Sequence, residues 1–134
     1  MTRNFITVAA ILCITGCSAK IDLTGGKPDS DISIFRSKMS PGMTAVDGNK
    51  LKTAFMGGGN EVRLVAGEHD MHFELTSTAN QYSWGAHYEW NVRYATQTGH
   101  QYSANASYMS GLLINKSWLV IKDETSGVEM KIEK

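Results

Sequence analysis

The sequence has few cysteines, no excess of either charge and no apolar stretch long enough to cross a membrane as a helix. Its two cysteines are Cys13 and Cys17, so residues 18–134 contain none, and a domain there must be stable through its core without disulfides. Thirteen basic residues balance thirteen acidic ones and form no basic run, which argues against a nucleic-acid partner. The longest apolar stretch, residues 5–14, is interrupted only by Thr7, but a membrane-spanning helix needs about 20 residues.

This short apolar stretch is placed as in an export signal. Arg3 is the only charged residue before Lys20, and residues 5–14 follow it closely. A basic start, an apolar region of about 7–15 residues and small residues at a cleavage site are typical of a secretory signal peptide. The sequence therefore predicts that this first segment is removed on export.

Residues 14–17 are Ile-Thr-Gly-Cys, an aliphatic residue and two small residues before a cysteine. This tetrapeptide resembles the lipobox of bacterial lipoproteins. The resemblance implies a diacylglycerol on the Cys17 thiol, cleavage of residues 1–16 as the signal peptide, and acylation of the new amino group. Several acyl chains anchor a protein firmly, since each buried methylene contributes about 0.8 kcal/mol. The alternative is an ordinary secretory signal in which this cysteine occurs by chance.

The next residues predict a linker and a location. Residues 17–30 mix glycine, serine, proline and charged residues with few apolar ones, which is typical of a flexible tether. Ser18 follows the cysteine; in the enterobacterial type of sorting an aspartate there retains lipoproteins in the inner membrane. By that resemblance Ser18 implies a lipid anchor in the outer membrane, with a domain of residues 31–134 facing the periplasm.

From residue 31 onward, apolar and polar residues alternate with a period of two, which indicates β-strands. Residues 85–96 show the clearest alternation. One predicted face carries Tyr88, Trp90, Val92 and Tyr94, and the other carries His87, Glu89, Asn91 and Arg93. Residues 118–121 (Trp-Leu-Val-Ile) do not alternate, as expected for a strand covered on both sides.

Turn signals separate the predicted strands. Asp47-Gly48 is a common hairpin signal, with residues 51–55 as the returning strand, and no helical pattern follows the signal peptide. About seven or eight short strands, spaced by roughly 8–12 residues, predict an all-β domain. We expect a small antiparallel β-sandwich or barrel.

Three segments carry a family resemblance: residues 45–50, 62–69 and 118–127. They contain the hairpin signal, a strand that ends at Ala-Gly before a histidine, and a closing strand with an Asp…Thr-x-Gly turn. Together they resemble the small β-sandwich lipoproteins and PEGA-like modules of bacterial envelopes. The resemblance implies the fold and an envelope location, and it implies no reaction.

Two histidines raise the question of a metal site. Zinc requires three or four converging ligands, but His69 and His72 are three residues apart and point to opposite faces of a strand unless a bulge intervenes. His72 and Glu74 are predicted on a solvated strand face, as are His87 and Glu89, which could otherwise form a proton-transfer pair. We therefore expect no metal and no cofactor.

Catalytic motifs are also missing from the sequence. It has no Gly-x-Ser-x-Gly nucleophile motif. The three glycines at residues 57–59 lack the Lys-Ser/Thr of a phosphate-binding loop. The one cysteine left after cleavage is assigned to lipid. We predict no catalytic residue and no enzymatic activity.

Aromatic residues are concentrated between residues 82 and 108. Their period-two placement is typical of a sheet core, although tyrosine and tryptophan also dominate binding surfaces. Tyr82 and Trp84 precede Gly85 at a predicted bend, and we expect these two to be exposed and to contact a partner.

Three functions are compatible with these patterns. The first is a non-enzymatic envelope lipoprotein that binds or scaffolds another envelope protein or a glycan. The second is an inhibitor of a hydrolase such as lysozyme, because small lipoproteins of that kind present a Ser- or Tyr-bearing loop, to which residues 107–111 (Ser-Tyr-Met-Ser-Gly) are loosely similar. The third, an enzyme acting on glycan or peptide, is disfavoured by the missing catalytic grouping.

Overall fold

The computed structural model describes residues 19–37, 42–51, 60–76, 87–110, 112–113 and 115–134. The strands are β1 (Ala19–Asp22), β2 (Ile32–Ser37), β3 (Gly42–Val46), β4 (Asn49–Lys50), β5 (Asn60–Val65), β6 (Gly67–Thr76), β7 (His87–Thr96), β8 (Gln101–Ser110), β9 (Asn115–Asp123) and β10 (Glu129–Glu133). Among these residues, one 3-10 turn, Asp29–Asp31, precedes β2. In this part of the chain, no helix is long and apolar enough to cross a membrane.

The strands form two sheets. The six-stranded sheet has the order β1-β5-β2-β8-β9-β10, and the four-stranded sheet has the order β4-β3-β6-β7. Two pairs in the larger sheet are parallel, β1 with β5 and β2 with β8, whereas the remaining pairs of both sheets are antiparallel. The all-β prediction is confirmed.

The predicted arrangement of the strands needs correction. The described residues form ten strands instead of seven or eight, one of the two sheets is mixed, and the sheets do not close into a barrel. The parallel pairs join segments that are distant in sequence, such as residues 34–37 with residues 101–104. A local alternation identifies a strand, but it contains no information on which partner the strand selects.

The core lies between the sheets and takes residues from both. Phe35 of β2 packs against Phe73 of the opposite sheet, with ring centroids 5.8 Å apart, and lies 5.9 Å from Tyr102 of β8 in a stacked arrangement. The other buried members of this cluster are Met43, Val46, Val62, Leu64, Met71, Leu75, Trp90, Val92, Ala104, Leu119 and Ile121. The two sheets therefore share one apolar layer.

The predicted faces of β7 are confirmed. Trp90 and Val92 are buried, and Tyr88 and Tyr94 pack against the core. The outward residues His87, Glu89, Asn91 and Arg93 are exposed.

Residues 118–121 were predicted to be covered on both faces, but only one face is fully buried. Leu119 and Ile121 are completely buried, whereas Trp118 and Val120, on the other face, are half-buried. Lys131 of β10 lies over the Trp118 ring at 5.2 Å. A long basic side chain thus covers part of an outer face that the sequence pattern placed in the interior.

The structure differs from the predicted tether at its first residues. Ala19–Asp22 form β1 at the edge of the larger sheet, paired with β5. Ile21 and Leu23 pack against the core, and Thr24 is buried. Alternating apolar residues therefore extend the sheet into a segment whose overall composition is that of a linker.

The hairpin predicted at Asp47-Gly48 connects β3 and β4. Asp47 has a φ of 48° and Gly48 a φ of 80°, the two positive values that a tight hairpin turn requires. The returning strand is described only as Asn49–Lys50, and the predicted residues 52–55 lie outside the described part of the chain.

Candidate functional site

The outer face of the four-stranded sheet carries two histidines and two glutamates side by side. On β6 the outward residues include His72 and Glu74, and on β7 they include His87 and Glu89. The antiparallel register places Glu74 directly opposite Glu89. We call these four residues the His–Glu cluster.

The ring and carboxylate atoms of the cluster are close together. His72 Nε2 lies 3.2 Å from Glu74 Oε1 and 3.8 Å from Glu89 Oε1. His87 Nε2 lies 3.1 Å from the same Glu89 oxygen. His72, Glu74 and Glu89 therefore direct three potential ligand atoms to one point, all within 4.8 Å of one another.

Neighbouring side chains hold both imidazole rings from behind. His72 Nδ1 lies 2.6 Å from Asn91 Oδ1, an acceptor, so Nδ1 donates the proton. His87 Nδ1 is 3.1 Å from Thr76 Oγ1. Both Nε2 atoms therefore face the carboxylates.

The two glutamates place like charges directly opposite each other, which destabilises a cross-strand pair. The hydrogen bond from His87, followed by the charges of His87 and His72, outweighs partial burial and lowers the pKa of Glu89. Lys134 donates to the backbone oxygen of Glu89 and not to its carboxylate. The cluster thus brings together two carboxylates and two imidazole rings, which are groups that can bind a cation or exchange a proton.

A shallow groove adjoins the cluster on the same sheet face. Its volume is about 550 Å³. His72 and Asn91 lie at the end nearest the cluster, and Asp70 and Arg93 lie farther along. Arg93 Nε is 3.0 Å from Asp70 and 3.2 Å from Glu68. The hydrogen bond and charge of Asp70 raise the pKa of Arg93, and the groove contains an ion pair that a polar ligand can contact.

His69 is not part of this cluster, in agreement with the opposite-face prediction. It lies on the inner side of β6 near the start of the strand, where its Nδ1 is 2.6 Å from Asp47 Oδ2 and its Nε2 is 2.6 Å from the Val65 carbonyl oxygen. Asp47 also accepts the backbone N–H of Asp70. His69 thus connects the Asp47-Gly48 turn to β6.

Comparison with known proteins does not assign the site. No family model, no curated protein and no solved structure matches this chain. The resemblance to PEGA-like envelope lipoproteins therefore stays a prediction.

None of the residues predicted from the sequence to carry function belongs to the His–Glu cluster. Cys17, Tyr82 and Trp84 lie outside the described residues. Residues 107–110, compared above with an inhibitory loop, instead belong to strand β8 and pair with β9. Four of the five residues compared with that loop are therefore in a strand, and residue 111 lies outside the described residues.

The cluster itself was missed in the sequence, although its residues were correctly placed on polar faces. The available signal was a repeated His-x-Glu spacing, at residues 72–74 and 87–89. On each strand this spacing places the two side chains on the same face. The β6–β7 register then brings the two pairs together.

A second polar centre closes the β9–β10 turn and has a structural role. Asp123 is only 4 % exposed. Its carboxylate accepts the backbone N–H groups of Thr125 and Ser126 at 2.9 and 3.1 Å. His100 Nδ1 lies 2.7 Å from its other oxygen. Burial raises the pKa of Asp123, but these hydrogen bonds outweigh that effect and hold the pKa at about 2.

This depressed pKa predicts an acid-sensitive contribution to stability. The folded pKa of Asp123 lies below its unfolded value of 3.8, so its contribution is fully present above pH 3.8 and is lost as the pH falls towards about 2. The shift corresponds to about 2 kcal/mol. Asp123→Asn should therefore lose about 2 kcal/mol at pH 7, with a flatter stability profile below pH 4. Urea unfolding at several pH values measures both effects.

The exposed residue Glu129 provides the control, because Glu129→Gln should leave the profile unchanged. Equal acid sensitivity in Asp123→Asn and the unmodified protein would contradict the assignment of this contribution to Asp123.

Proposed function

We propose that this chain is a lipoprotein of the bacterial outer membrane, anchored through acylated Cys17, and that its two-sheet domain binds another envelope protein or a glycan without acting as an enzyme. The supporting observation is where the chain enters the domain. Ala19, two residues after the cysteine, begins β1 at one end of the larger sheet. The residues paired with Ala19 in the neighbouring strands show which other segments lie at this end of the domain.

The entry point and the β8–β9 hairpin lie at the same end. Ala19 pairs with Asn60, Asn60 with Ser37, and Ser37 with Ala104 of β8. Strand β8 does not stop at Ala104; it runs on past the entry point to Ser110. Those six residues extend the hairpin about 20 Å beyond the entry point. A lipid on Cys17 would therefore orient this hairpin towards the bilayer.

The hairpin tip has the surface that such an orientation needs. Leu112 and Leu113 are fully exposed, and Met109 is 55 % exposed. Exposed leucines are costly in water, since burying one completely gains about 1.5–3 kcal/mol. Insertion of this tip into the interfacial region would add to the lipid anchor.

The groove beside the His–Glu cluster lies towards the opposite end. Tyr88 of β7 contacts Tyr108, near the hairpin tip, with centroids 5.6 Å apart. Tyr94 contacts Tyr102, at the far end of β8, at 5.5 Å. Arg93 and its groove therefore lie away from the membrane end, where a periplasmic partner has access.

Site-specific photo-crosslinking in living cells tests this orientation and the binding function together. A photoreactive residue in place of Leu113 should crosslink phospholipid, and one in place of Ala45, which lines the groove, should crosslink a discrete protein or glycan and no lipid. The matched control is Val128, an exposed apolar residue beyond the opposite end of β9, which should crosslink no lipid.

Equal lipid crosslinking at the positions of Leu113 and Val128 would contradict the orientation. Absence of any discrete product at the position of Ala45 would contradict binding through the groove. Mass spectrometry of the crosslinked products identifies the partner, and a muramidase among them would favour the inhibitor hypothesis instead.

A further inference from the structure

We propose that the His–Glu cluster binds a zinc ion, with His72 Nε2 and one carboxylate oxygen each of Glu74 and Glu89 as protein ligands. This inference rests on the sheet alone and is independent of the lipid anchor. It concerns a ligand of the folded domain and does not require metal for folding.

The distances fit zinc coordination. Bonds of about 2.0–2.2 Å in a tetrahedral site place neighbouring ligand atoms about 3.3–3.6 Å apart. His72 Nε2 is 3.2 Å from Glu74 Oε1 and 3.8 Å from Glu89 Oε1. All three ligand atoms lie within 4.8 Å of one another, so side-chain rotation can close the three-ligand set, and a water molecule can occupy the fourth position.

The contacts of His72 leave one ring nitrogen available as a metal ligand. Asn91 Oδ1, an acceptor, lies 2.6 Å from Nδ1, so the Nε2 lone pair of a metal-bound His72 would face the carboxylates. A divalent ion held there would also offset the like charges of Glu74 and Glu89, which lie directly opposite each other in the β6–β7 register.

The surrounding contacts are those that support metal ligands. Metal-bound histidines almost always donate their other N–H to an oxygen acceptor, and metal-bound carboxylates are themselves hydrogen-bonded. Asn91 serves the first role for His72, and His87, 3.1 Å from Glu89 Oε1, serves the second for Glu89. Both lie on β7, so the sheet fixes their positions.

The mixed ligand set favours zinc over the common hard cations. Magnesium and calcium bind almost exclusively through oxygen atoms, whereas zinc accepts imidazole nitrogen together with carboxylate oxygen. Two carboxylates and one neutral imidazole also balance the charge of a divalent ion.

Isothermal titration of the metal-stripped full chain, purified in detergent, tests the proposal. Zinc chloride should bind with a stoichiometry of one ion per chain and raise the melting temperature, whereas magnesium chloride should do neither. Glu74→Gln and Glu89→Gln should each abolish the zinc-dependent rise. Asn91→Ala, which removes only the support behind His72, should weaken zinc binding by about 10–100-fold.

The matched controls are Glu68→Gln and His69→Gln, which change the same residue types on the same strand outside the cluster and should bind zinc as the unmodified chain does. The metal-free Glu74→Gln protein should be at least as stable as the unmodified one, because it loses the opposed like charges. The proposal is overturned if the unmodified chain does not bind zinc. It is equally overturned if both glutamine variants, at Glu74 and Glu89, bind zinc with unchanged affinity.

Discussion

Truncation of Trp90 to alanine should lower the free energy of unfolding by about 3–5 kcal/mol, as expected for a large aromatic side chain in a packed core. Trp90 is 1 % exposed and lies within the layer between the two sheets. Such a loss is a large part of the about 5–15 kcal/mol by which a typical domain is stable. Residues 18–134 contain no cysteine, so no disulfide offsets the cavity.

Chemical denaturation of full-chain variants measures this loss against two controls. Trp118→Ala removes the same side chain from a half-buried position and should cost less, about 2 kcal/mol at most. His87→Ala, on the outward face of β7, should change stability by about 0.5 kcal/mol at most. A large loss in His87→Ala with little change in Trp90→Ala would mean that the faces of β7 are exchanged.

Truncation of Trp90 to alanine changes two things at once, because it removes both the packing of the ring and its buried N–H donor. Its Nε1 is buried and, within the described residues, has no hydrogen-bond partner. An unpaired buried donor costs about 1–3 kcal/mol. Trp90→Phe, which keeps an aromatic ring and removes this donor, should therefore be much less destabilising than Trp90→Ala in the same measurement.

Replacement of Cys17 by serine should abolish both acylation and membrane retention, because the thiol is the proposed attachment point of the lipid. Metabolic labelling with a fatty-acid analogue should give no label on the Cys17→Ser protein. The protein should then leave the membrane fraction, since one short hairpin tip cannot replace covalently attached acyl chains.

Cys13→Ser is the matched control, because Cys13 lies in the predicted signal peptide and should not affect labelling. Label that persists on Cys17→Ser would contradict the lipoprotein proposal. That result would leave the zinc proposal untouched.

Individual strands could be predicted from the sequence, but their partners could not. The alternation in residues 87–96 correctly placed Trp90 inside and Glu89 outside, because the side-chain period of a strand is a local property. The contact of β2 with β8 and the incorporation of Ala19–Asp22 into the sheet depend on residues far apart in the chain. The composition of residues 17–30 favoured a tether, because composition contains no information on such long-range contacts.

The candidate site likewise combines features that the local sequence pattern predicts with one that depends on strand pairing. The outward direction of His72 and Glu74 followed from the pattern of β6, and that of Glu89 followed from the pattern of β7. Their convergence followed from the β6–β7 register, which places Glu74 opposite Glu89. A shift of one residue in this register would move the whole set of β7 side chains to the other face.

The all-β class, the inward face of β7 and the Asp47-Gly48 hairpin are consequences of short-range alternation and turn conformation, and the amino-acid order was sufficient for them. The proposed lipid site at Cys17 also depends on four neighbouring residues alone. Three features were decided only by the tertiary structure. They are the mixed sheet, the location of Ala19 and the Leu112–Leu113 tip at the same end of the domain, and the His–Glu cluster. Each of these arises from pairing between distant strands, whose free energy depends on how both faces are buried and not on any one segment.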